Sequence, residues 1–314
     1  MAAREPILPS GGEVDRLAVR PGSVVWRYAS DARVLITGAG VALLLQVAHP
    51  TVAAGVREHS DFERDPWGRL WRTLDFVNLF IYAGPEAAAR TGRALREMHR
   101  AIKGVAPDGR RYHALEPEAY AWVHATLCEA MLGAHRLFGR RMRHDEVVAF
   151  YEEWRALGRL LGVRDRDLPE DWAGFRRYFD DMVDGRLEDN DVVQKVIRTL
   201  RRPAPPPFAE GLPPAVWRVL RFPSARASEL ATIALLPPPM RARMGLSLGR
   251  REARELRAFA ALSRGATPLM PEGLRRMGPT YLRARRGAMA HGDFAAALEI
   301  AKPPEHRARP VSEA

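Results

Sequence analysis

The sequence predicts an all-α fold, and three observations carry that expectation. Apolar residues recur at helical spacing along nearly the whole chain. No stretch alternates apolar and polar residues over several successive runs, as a sheet would require. Prolines and glycines fall where helices begin and end, as in Asp65-Pro66, Gly84-Pro85 and Glu116-Pro117. The 314 residues and 46% hydrophobic content suffice for one large domain, and there is no internal repeat.

Taken in order, residues 1–22 read as a loose arm. Val34–Ala48 reads as a buried helix, because it carries no charge, and Pro50 ends it. Thr51–His59 resumes beyond the proline. Asp65 is placed to cap a helix that starts at Pro66 and runs to about Tyr82. Pro85–Lys103 is a helix ended by Gly104. Asp108–Tyr112 reads as a turn with the character of a small hairpin. Further helices are expected at 117–138, 144–161 and 170–184, with a weaker one at 189–200. Six prolines between Pro203 and Pro214 make a stiff connection. Helices at 214–221 and 225–235, at Arg250–Ser263 and at Pro271–Arg286 complete the reading. The end, from about Pro303, is polar and expected to fray.

The net charge of +11 invites a nucleic-acid reading. Its distribution argues against one. Of 49 basic residues only Lys103, Lys195 and Lys302 are lysine, and the arginines are spread among acids with no basic run interleaved with aromatics. They read as solvated helix faces and ion pairs. A single cysteine, Cys128, rules out a disulfide framework or multi-cysteine zinc site and fits a reducing compartment, so a cytoplasmic location is expected. Met1–Leu17 has no apolar core segment and does not read as a signal peptide. The 23 residues Val34–Val56 carry no charge and are long enough to span a bilayer. Pro50 interrupts them, so a buried helix and a break are expected, with peripheral membrane contact left open.

Four clusters could carry chemistry. The first is His49 and His59, in Gln46-Val-Ala-His49-Pro50 and Glu58-His59-Ser60. A histidine at a proline kink can also simply cap freed carbonyls. The second is Arg69, Arg72 and Thr73 on one helix face, a cation and hydroxyl able to bind a carboxylate or steer a diatomic ligand. The third is Arg96, His99 and Lys103, which share a face if the helix runs that far, beside an apolar stripe of Leu95, Met98 and Ile102. A neutral imidazole, apolar surface and flanking cations suit a haem; they also suit an ordinary amphipathic helix, and spacing alone leaves both readings open. The fourth is Tyr120, His124, Cys128, Met131 and His135 on one helix, more core than metal site. A P-loop and a His-Glu-x-x-His motif are absent, and Gly38-x-Gly40 lacks the third glycine of a dinucleotide fingerprint.

The segments Gln46–Phe62, Asp65–Thr73, Met98–Gly104 and Trp122–Leu127, in this order and spacing, resemble the MpaB-like oxygenase family. This large bacterial family was long catalogued as a domain of unknown function and includes the latex-clearing rubber oxygenases. The resemblance runs from about Val24 to Arg286. It implies one domain over 23–290, with a C-terminal tail at 291–314. The domain would have a globin-like helical core and a cofactor pocket between helices holding one non-covalent haem b. His99 matches the proximal iron ligand, Arg96 and Lys103 the flanking basic positions, and Arg69 and Thr73 an arginine and threonine near the haem. His49 and His124 lie in motifs of the same series and are expected beside the cofactor. Arg72 stands where the rubber oxygenases carry a lysine able to close the sixth iron position; a guanidinium stays protonated and is a poor ligand. No residue matches the distal glutamate base securely, with Glu58, His59 and Glu63 as candidates. The resemblance thus implies a haem-dependent oxygenase using dioxygen on an apolar, lipid- or terpenoid-like molecule, with an electron donor left open. The rival readings are a haem-binding sensor or carrier without turnover, and a haem-free helical protein that binds lipid or membrane.

Overall fold

Asp31 accepts a hydrogen bond from the Arg33 backbone N–H at 3.0 Å and starts the helix on which the others pack, α3 (Ala32–Val47). The computed structural model describes residues 8–60, 62–209 and 211–283, and among these it holds fourteen α-helices and one two-stranded hairpin. The all-α expectation holds. Because α3 carries no charge after Arg33, it can be buried on nearly every side. It lies between α7 (Pro117–Leu137) and α11 (Pro214–Leu235). Its glycines permit the close approach: a Cβ at Gly38 would stand 3.2 Å from the Ala130 carbonyl oxygen, and one at Gly40 would collide with the Thr232 hydroxyl.

Pro50 ends α3 as expected, and the chain turns by 104° into α4 (Pro50–His59). No single helix among the described residues is long and apolar enough to cross a membrane. The break frees carbonyls in a buried place, where they must find donors. They find three. Trp122 Nε1 donates to Leu45 at 2.8 Å, Asn190 Nδ2 to Val47 at 2.9 Å, and the Glu188 backbone N–H to Ala48 at 2.9 Å. Asn190 meanwhile caps α10 (Asp191–Arg201) through its Oδ1. The His49 side chain takes none of these carbonyls; its Nε2 lies 3.4 Å from the Glu118 carboxylate.

Asp65 caps α5 (Pro66–Tyr82) on the Gly68 N–H at 2.7 Å. The tight link at Gly84, with φ of 93°, folds α6 (Pro85–Arg100) back along it. α6 in turn crosses α8 (His144–Leu160), where Gly92 faces the Leu160 carbonyl with no room for a Cβ.

Several boundaries differ from expectation. The described part of the expected loose arm contains α1 (Gly12–Leu17), whose Val14 and Leu17 sit in the core against α6 and α8. The i, i+3 apolar pair is too short to stand out from its charged neighbours. The next helix, α2 (Val24–Tyr28), is capped from a distance: Glu153 of α8 accepts from Ser23 Oγ at 2.7 Å and from the Val25 N–H at 2.8 Å. α6 stops at Arg100 instead of Lys103. Lys103–Val105 (β1) pairs antiparallel with Arg111–His113 (β2), so the chain needs an extended conformation there. Arg96, His99 and Lys103 therefore do not share one helix face. α9 (Trp172–Gly185) falls as expected. α11 runs unbroken past Pro223, on its exposed half where water can satisfy the freed carbonyl. After α12 (Pro238–Arg243) and α13 (Arg250–Ala266), the expected helix from Pro271 is divided. α14 covers only Glu272–Arg275, Gly278 at φ of 73° donates its N–H to Asn78 Oδ1, and residues 279–283 are helical again. The expected continuation to Arg286, the tail from 291 and the first seven residues lie outside the described residues.

His124 holds two of these helices together. It stacks on Trp154 of α8 and shares two hydrogen bonds with it, its Nε2 donating to the Trp154 carbonyl at 2.8 Å and Trp154 Nε1 donating to the His124 carbonyl at 3.0 Å. Burial pushes the imidazole pKa down to about 4. The unfolded chain, with an ordinary histidine near 6.5, takes up this proton first, so stability is full above pH 6.5 and falls as pH drops towards 4, by about 3 kcal/mol in all. Thermal melts of the wild type and of His124→Gln between pH 7 and 4 check this: the slope of melting temperature with pH should flatten in the variant.

Candidate functional site

The α5–α6 hairpin brings the start of one helix against the end of the other, and with them Arg69 and His99. The His99 Nδ1–H donates to the Leu95 carbonyl at 2.8 Å, one turn back along α6. That bond selects the tautomer whose Nε2 carries the lone pair, and among the described residues Nε2 has no hydrogen-bond partner. Burial pushes the imidazole pKa down, the Leu95 carbonyl works against this, and the positive charge of Arg69 lowers it further. The Tyr120 ring stands edge-on to the imidazole, 5.9 Å between centroids, and its hydroxyl donates to the Leu161 carbonyl at 3.0 Å. The result is a neutral, half-buried imidazole, held in orientation, with a free electron pair.

The other residues of the second cluster part company. The Arg69 guanidinium donates to Ser60 Oγ and lies over the Phe62 ring at 5.8 Å. Arg72 pairs with the capping Asp65 at 3.1 Å. Thr73 is exposed, and its hydroxyl bonds back to the Arg69 carbonyl at 3.0 Å, so it braces its own helix.

His59 belongs to a polar chain that the sequence did not reveal. The Tyr112 hydroxyl donates to Glu58 Oε2 at 2.5 Å and accepts from His59 Nε2 at 3.1 Å. The tyrosine comes from β2 and the other two from the end of α4, so only the hairpin's position assembles them. The Glu58–His59 pair was visible in sequence; its tyrosine, 53 residues beyond His59, was not.

His49 and His124 are occupied elsewhere. The first is buried against Glu118, and the second braces α7 to α8. Cys128 is fully buried, its thiol pushed well up by burial, and among the described residues no group of three or more His, Cys, Asp or Glu could hold a metal ion.

Arg96 and Lys103 line a cavity of about 750 Å³ between the end of α6, the hairpin, the start of α7 and the turn after α8. His99 is not one of its walls; Tyr120 is. Arg96 is only 7% exposed. Its guanidinium passes over Gly162, where φ is 82° and a Cβ would lie 3.0 Å from Nη1. Both Tyr112 and Tyr120 are walls of this cavity; sequence reasoning missed Tyr112 altogether and the role of Tyr120. Tyr120 stood in the same helix-face series as His124, but its contact with His99 depends on how α6 and α7 pack.

Burial first, and then the Glu58 carboxylate, push the Tyr112 phenol up to about 12. Other buried tyrosines, Tyr82, Tyr120, Tyr151 and Tyr178 among them, also ionise late, so an absorbance titration of phenolate should lose one of several late steps in Tyr112→Phe. In Glu58→Gln it should move back only part of the way towards 10, because burial remains.

One family model, described as "ER-bound oxygenase mpaB/B'/Rubber oxygenase, catalytic domain", matches residues 26–265. No curated protein and no solved structure matches the chain. The chain belongs to the mpaB/rubber oxygenase catalytic-domain family.

Proposed function

We propose that this chain, as a member of an oxygenase family, is a haem b-dependent oxygenase that oxidises an apolar small molecule with dioxygen, with His99 as the iron ligand. The observation that carries the reading is the state of His99: neutral, half-buried, fixed by the Leu95 carbonyl, with Nε2 unpartnered. Haem-ligating imidazoles need these properties, a lone pair on one nitrogen and an orienting acceptor on the other. The donor set thus fits a haem, and one imidazole with no carboxylate or thiolate cluster among the described residues suits it better than a bare metal ion.

When bound, the haem supplies the redox-active iron at which dioxygen chemistry takes place, and an external electron donor is expected. The chain's own groups do the rest. Arg69 sets a fixed positive charge near His99, which favours negative charge developing there. Arg72 is permanently protonated and held by Asp65, so it does not serve as a second ligand. Glu58, Tyr112 and His59 form a continuous hydrogen-bond chain in which the Tyr112 hydroxyl keeps its proton at neutral pH. Such a chain can pass a proton between Glu58 and His59 without moving a heavy atom.

Purified protein titrated with haemin should develop a Soret band at one equivalent. His99→Ala should bind haem at least tenfold more weakly, with a shifted band, and exogenous imidazole should restore the position. Absence of a Soret band in the wild type would overturn the haem reading; an unchanged band in His99→Ala would overturn the ligand.

A further inference from the structure

The cavity on the far side of Tyr120 is electrostatically incomplete. Besides Arg164, which is paired, three cations line it: Arg96 from α6, Lys103 from β1 and Arg111 from β2. Among the described residues none of the three has an ion pair or a side-chain hydrogen bond. The carboxylates on the same walls are already engaged. Asp167 forms two bonds with Arg164, at 2.6 and 2.8 Å, and Glu116 accepts from Thr51 Oγ1 at 2.8 Å.

Arg96 makes the argument sharp. An arginine cannot shed its proton to escape burial, and a buried guanidinium without a counter-ion is costly. Here the chain accepts that cost, and Gly162, whose left-handed conformation serves the turn that ends α8, also leaves the guanidinium its space. A buried cation facing a cavity is the signature of a site for an anion.

The size says what kind of anion. At about 750 Å³ the cavity falls in the range of small-molecule sites and far exceeds an inorganic ion. Beside the charged groups its walls include an apolar part, with Val105, Leu115, Val163 and the Tyr120 ring. That combination matches one charged group on an apolar body.

We propose that this cavity binds an apolar carboxylate, its anionic group seated on Arg96 and supported by Lys103 and Arg111, its hydrocarbon body lying against Tyr120. As a statement of substrate class for the oxygenase this rests on the function proposed above; as a binding site it does not. Tyr120 gives the connection, since one face of the ring system borders the cavity and its edge meets His99.

Calorimetric titration of the full chain with dodecanoate, dodecanol and acetate tests the proposal. Dodecanoate is expected to bind, and the other two at least tenfold more weakly. Arg96→Met should weaken dodecanoate at least tenfold while folding normally, since it removes an unpaired buried charge; Arg96→Lys should recover part of the loss. Lys103→Gln with Arg111→Gln, both exposed, should weaken binding several-fold. Equal affinity for dodecanoate and dodecanol, or unchanged affinity in Arg96→Met, would overturn the proposal. So would loss of dodecanoate binding on saturation with haem, because the cations would then serve the cofactor's own carboxylates. Dodecanoate binding in a protein that never develops a Soret band would support this site and remove the oxygenase reading instead.

Discussion

The structure depends on how a fully buried helix is allowed to end. α3 is apolar and enclosed, so the carbonyls released at Pro50 have no water to turn to. Trp122, Asn190 and the Glu188 backbone supply donors from two other parts of the chain. Each of those donors is fixed by its own packing, Trp122 in the core of α7 and Asn190 at the cap of α10. The bend is thereby locked in one direction. α4 leaves it at a steep angle, and its end carries Glu58 and His59 to the hairpin and Ser60 to Arg69. The geometry of the site is a consequence of hydrogen-bond satisfaction some ten residues upstream.

Within the site, five histidines of the same chemical type are sorted by what they touch. His49 has a carboxylate, His59 a phenol, and His124 and His135 are bonded to backbone carbonyls deep in the core. His99 is bonded to a carbonyl too, but of its own helix, which turns the free nitrogen outward from α6 instead of tying α6 to a neighbour. The placement of Arg69 nearby adds to the effect of burial, since both favour the uncharged ring. Desolvation does most of this, so the neutral state does not hinge on one charged neighbour.

Much of the fold was legible because helix starts are local chemistry. Asp65-Pro66 and Gly84-Pro85 announce themselves, and the charge-free run of α3 announces its burial. The family resemblance, carried by motifs around His49, Arg69 and His99, extended that to the class of chemistry. What stayed hidden is non-local. Nothing near Arg100 says that the helix must yield there to a strand whose partner lies eight residues further on. Pro223 looks like a helix break, yet exposure makes it tolerable. The role of His124 depends on Trp154, 30 residues away, and the Glu58–Tyr112–His59 chain depends on the hairpin. In each case one side chain carries the signal and a distant one gives it meaning.

Arg96 has a thermodynamic consequence for the whole chain. A lone charge largely enclosed by the native state is an uncollected free energy: the unfolded chain hydrates it more fully than the native chain does. Any anion that enters only the native cavity shifts the folding equilibrium by mass action, in proportion to the logarithm of its free concentration over its dissociation constant. The amount of folded protein in a cell would then follow the supply of that anion, since the unfolded fraction is what quality-control proteases remove. With an anion bound there, one unpaired guanidinium would tie the lifetime of the protein to the abundance of that anion.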